Sequence, residues 1–66
     1  MITVEIFNID DNIMEISYFP AVPRVGDHIA ILKDNYYKYF HVIKIWYRRE
    51  DPSLNYVACV QVKFDD

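Results

Sequence analysis

Apolar residues recur at every second position through much of this chain. Ile2, Val4 and Ile6 alternate with Thr3 and Glu5. A period of two is the signature of a strand with one buried face. A second strand is expected from Ile13 to Phe19, where Met14, Ile16 and Tyr18 alternate with Glu15 and Ser17. Between them, Asp10-Asp11-Asn12 reads as a turn, because short polar side chains bond their own backbone and tolerate left-handed conformations. The two strands then form a hairpin with an acidic tip.

Pro20 and Pro23 end the second strand, since each lacks a donor for the ladder. The loop after them leads to Gly26-Asp27, and this is the only glycine in the chain. Glycine reaches positive φ without steric cost, so a sharp turn into the next strand is expected there. Strand three runs from Asp27 to Lys33 with Ile29 and Ile31 inward, and Asp34-Asn35 is the next tight turn.

Strand four, Tyr36 to Arg49, is long, and its period slips. Lys44 falls in step with Phe40, Val42 and Trp46, while His41 falls in step with Ile43 and Ile45. A bulge or bend between His41 and Lys44 restores the pattern, and small barrels need such bends to close. Glu50-Asp51-Pro52-Ser53 reads as a loop. Strand five is expected from Leu54 to Phe64, with Tyr56, Ala58, Val60, Val62 and Phe64 on one face, before a short acidic tail of Asp65 and Asp66. No segment has helical periodicity with caps. The expected fold is a single all-β domain over residues 1–66, a small five-stranded SH3-like barrel.

The segment Pro23-Arg24-Val25-Gly26-Asp27-His28-Ile29, followed by the strand from Tyr36 to Trp46, resembles small bacterial and phage β-barrel proteins with a Pro-Arg-x-Gly-Asp turn. The resemblance covers about residues 20–64. It implies fold and no activity.

Size and composition sharpen this picture. A chain of 66 residues buries only about 60% of the surface its unfolded form exposes. Yet 53% of its residues are hydrophobic and 17% aromatic, more than one small barrel is expected to enclose. The excess is expected to form a contact patch and to favour a homo-oligomer, most simply a dimer. Net charge is −3, which opposes general affinity for nucleic acid or an anionic membrane. The bases are nevertheless gathered in residues 33–66. Cys59 is the only cysteine, and no signal peptide or membrane-spanning run is read, so a cytoplasmic location is expected.

Candidate chemistry is sparse. His28 and His41 lack an evident set of further metal ligands. They read as isolated histidines on a surface or rim. Cys59 lies between Ala58 and Val60, where a free cysteine behaves as a small buried hydrophobe, so a Cys59–His41 nucleophile pair is not favoured. The paired acids sit on turn tips as solvated groups. No catalytic, cofactor-binding or metal-binding residue is assigned, and no enzyme activity is expected.

The functional hint is the interleaving of aromatic and basic residues in strand four. Tyr36, Tyr37, Lys38, Tyr39, Trp46, Tyr47, Arg48 and Arg49 are the candidate partner-binding residues. Tyrosine, tryptophan and arginine are the types that dominate protein contacts. The expected function is non-catalytic protein binding with self-association, in a phage or mobile-element accessory protein. The alternative is a single-stranded nucleic-acid binder that uses Tyr36, Lys38, Trp46, Arg48 and Arg49 to stack bases and meet phosphates.

Overall fold

The computed structural model describes residues 1–49 and 55–65. Five strands are present: β1 (Ile2–Phe7), β2 (Ile13–Phe19), β3 (His28–Lys33), β4 (Tyr36–Arg49) and β5 (Tyr56–Phe64). They form one curled sheet in the order β2-β1-β5-β4-β3. The β1–β5 pair is parallel and the other pairs are antiparallel. The chain is thus a small all-β domain with a near-barrel sheet. The barrel expected from the sequence is half-made: β2 and β3 are the two ends of the sheet and do not pair with each other.

The turns follow from local chemistry. Asp34 and Asn35 have φ of 51° and 70°, the pair of left-handed residues that a two-residue type I′ hairpin requires. Asp11 has φ of 62°, and the Asn8 side-chain oxygen accepts hydrogen bonds from the Asp10 and Asn12 amides around it. Gln61 Nε2 donates to the Asn8 carbonyl and to Asp11 Oδ1, which ties this turn to β5.

Gly26 has φ of 95°. Its amide donates to the Val42 carbonyl at 2.8 Å, and the Val42 amide donates to the Asp27 carbonyl at 2.9 Å. Two residues therefore oppose one, which is a glycine bulge. The Asp27 carboxylate accepts from the Arg24 amide and closes the turn from the other side.

Bulges sort the side chains. In β4, Val42 pairs with Val62 and Lys44 with Gln61, so Ile43 is the extra residue. This is the slip expected between His41 and Lys44. It puts Phe40, Val42 and Ile45 on the inner face and His41, Lys44 and Trp46 on the outer one. In β2, Ile6 pairs with Glu15 and Phe7 with Ile13, so Met14 is extra. Met14 packs against the core, but Ile16 and Tyr18 face outward, 60% and 73% exposed. The common face expected for Met14, Ile16 and Tyr18 is therefore broken by the bulge.

The core lies on the inner face. It consists of Val4, Ile6, Ile31, Phe40, Val42, Ala58, Val60 and Val62, flanked by Met14, Phe19, Val22, Ile29 and Ile45. β5 is the central strand, and Ala58, Cys59 and Val60 are buried in succession, so it is covered on both sides. Strand five begins at Tyr56 among the described residues; Leu54, the loop expected over 50–53 and Asp66 lie outside them. No helix long and apolar enough to cross a membrane occurs among the described residues.

Candidate functional site

Alternation along β4 divides the candidate residues between two faces. Tyr37 and Tyr39 point outward, opposite Leu32 and Ala30 of β3. Trp46 and Arg48 point outward, opposite Cys59 and Val57 of β5. Tyr36, Lys38, Tyr47 and Arg49 belong to the inner face. Tyr36 and Lys38 stand at one end of it, opposite Lys33 and Ile31, and Tyr47 and Arg49 at the other, opposite Ala58 and Tyr56. The eight residues do not form one patch.

The outer face holds three groups. Tyr37 and Tyr39 have ring centroids 6.5 Å apart and are 56% and 54% exposed, beside exposed Leu32. Further along β4, Trp46 meets Phe7 at 5.2 Å, and Lys44 Nζ lies 5.3 Å from the Trp46 ring centroid. Next to it, the Arg48 guanidinium donates to both oxygens of Glu5, at 3.0 and 2.7 Å. This fork stands over buried Cys59, whose sulfur lies 3.8 Å from Arg48 Nη1 and 3.7 Å from the Val57 carbonyl. Glu5 is thereby buried although the alternation puts it on the face opposite Ile2, Val4 and Ile6. A two-pronged arginine partner makes that burial tolerable.

Asp65 forms the third group. Its carboxylate meets His41 Nδ1 at 2.5 Å and His28 Nδ1 at 3.1 Å, and its amide donates to the Tyr39 carbonyl. Hydrogen bonding from His41, then from His28, together with the nearby histidine charges, holds the Asp65 carboxyl below its ordinary value against the opposing effect of desolvation. The histidines are directly opposite each other on β3 and β4, so they are a cross-strand pair and not isolated. Asp65 is likewise a clasp and not a free tail. No group of three or more potential ligands poised for a metal occurs among the described residues. His41 contacts Asp65, whereas Cys59 contacts Arg48 and the Val57 carbonyl, so the two do not form a nucleophile pair.

The aromatic excess has a clear location. All six tyrosines are more than half exposed, and Phe40 is the one aromatic side chain in the core. On the inner face an open cleft of about 340 Å³ lies beside the β1–β2 turn, where Phe40 of β4 pairs with Phe64 at the end of β5. Ile9, Met14, Phe40, Val62 and Phe64 line it.

No protein-family model matches the chain, and comparisons with curated proteins and with solved structures find no match.

Proposed function

We propose that this domain is a non-catalytic protein-binding module that associates with itself, of the SH3-like kind found among phage and mobile-element accessory proteins. The observation behind this reading is the exposure of all six tyrosines on a chain this small. Tyr37, Tyr39 and Leu32 form a contiguous apolar strip on the outer face. Rigid aromatic surfaces of this kind gain most when a partner covers them.

The nucleic-acid alternative draws on residues that lie on opposite faces. Trp46 and Arg48 point outward, Tyr36, Lys38 and Arg49 inward, and Arg48 is engaged by Glu5. A phosphate track needs unneutralised cations on one surface.

Two measurements separate the readings. Sedimentation velocity of the Tyr37→Ser/Tyr39→Ser variant is expected to show weaker association than the unmodified chain. An oligonucleotide titration is expected to show no salt-sensitive binding. Tight binding with a steep salt slope would favour the alternative.

A further inference from the structure

Among the described residues the longest stretches of strand edge without a neighbouring strand are β2, β3, and β4 beyond its pairing with β3. Open edges invite another strand, and proteins block them with charges, prolines and bulges. β2 is blocked: it has the bulge at Met14, Glu15 on the inner face beside Ile6, and Pro20 at its end. The open part of β4 is blocked by its bulge at Ile43 and by Lys44, Arg48 and Arg49. β3 has none of these from Ile29 to Leu32, and its pairing with β4 is regular at every position.

Ladder geometry says which backbone groups of β3 are open. The two-residue turn at Asp34-Asn35 closes on Lys33 and Tyr36, which exchange both hydrogen bonds. Antiparallel pairs alternate from there. Lys33, Ile31 and Ile29 bond to β4, so the N–H and C=O groups of Leu32, Ala30 and His28 point away from the sheet.

The geometry points to a twofold contact in which β3 pairs antiparallel with β3 of a second copy, Ala30 facing Ala30. This rests on the self-association proposed above and adds to the outer-face strip an edge contact that begins at Leu32, the residue the two share. A register centred on Ala30 engages all three outward-facing residues, His28 meeting Leu32 at each end; neighbouring registers engage fewer. On the inner face it sets Ile29 of one copy against Ile31 of the other and continues the apolar core. At each end it brings Lys33 level with Asp27, a pair of opposite charges. The sequence His28-Ile29-Ala30-Ile31-Leu32 suits self-pairing: a small residue stands on the axis with an isoleucine on either side.

Residue-resolved amide exchange, run at low and high micromolar concentration, tests this. The amides of His28, Ala30 and Leu32 are expected to gain protection as the dimer fills, whereas those of Ile29, Ile31 and Lys33 stay protected throughout. Ala30→Pro removes an outward-facing donor and is expected to abolish the dimer and keep the fold, since an edge strand tolerates proline there. A dimer whose three outward amides exchange unchanged would overturn the edge contact and leave self-association standing. So would an Ala30→Pro chain that still dimerises. A chain monomeric at every concentration would overturn both. If Ala30→Pro does not fold, exchange in the unmodified chain decides.

Discussion

His41 Nδ1 lies 2.5 Å from the carboxylate of Asp65, twenty-four positions further along the chain. With His28 on the other carboxylate oxygen, the contact fastens the end of β5 across β4 and β3. The folded-state pKa of Asp65 is lowered, first by the His41 hydrogen bond. Its stabilisation is therefore present above the ordinary carboxylate value of 3.8 and is lost as pH falls through the lowered one. Asp65→Asn is expected to melt earlier than the parent at neutral pH and to lose less stability on acidification. Thermal melts at pH 7 and pH 3 check both. Equal melting temperatures at pH 7 would contradict the clasp.

Gly26→Ala tests a backbone requirement in isolation. At φ of 95° an added Cβ would meet nothing within 4 Å, so the penalty is conformational and not a clash. A loss of about 1 kcal/mol is expected, seen as a fall of about 4–8 °C in Tm for a domain this small. Gly26→Asn is expected to cost less, because asparagine enters the left-handed region more readily. An unchanged Tm for the alanine variant would contradict this.

Glu5 and Arg48 act as a pair. Arg48→Met leaves the Glu5 carboxylate buried without its fork and is expected to cost about 2 kcal/mol. Adding Glu5→Gln to Arg48→Met is expected to recover part of that loss. Urea unfolding of the two single variants and the double variant measures the coupling. Additive losses would contradict it.

Cys59 is fully buried between Val57 and the Arg48 fork. Cys59→Ala is expected to lower stability by about 1 kcal/mol and to leave self-association unchanged. A thiol reagent is expected to label the native protein only at the rate of unfolding. Rapid labelling would show an accessible thiol.

The strands and turns of this fold are legible in the sequence where a local pattern decides them. The period slip around Lys44 marks the β4 bulge, and Asp34-Asn35 marks its hairpin, because each is a property of adjacent residues. β2 misleads for the same reason: Met14, Ile16 and Tyr18 keep a perfect period, and only the pairing with β1 shows that Met14 is extra. The burial of Glu5 and the clasp at Asp65 depend on partners 43, 24 and 37 positions away. Alternation could place Tyr37 and Tyr39 together and Tyr36 apart from them. It gave no sign that the sheet stays open, which depends on how far it curls.

The exposed aromatic surface of this small domain is proposed to bind protein, beginning with its own copies. Sedimentation equilibrium over a concentration series tests it most directly. The mass is expected to rise toward twice the 7.9 kDa of the single chain as concentration passes through the micromolar range, with a weaker rise for Tyr37→Ser/Tyr39→Ser. A constant 7.9 kDa into the hundreds of micromolar would contradict it.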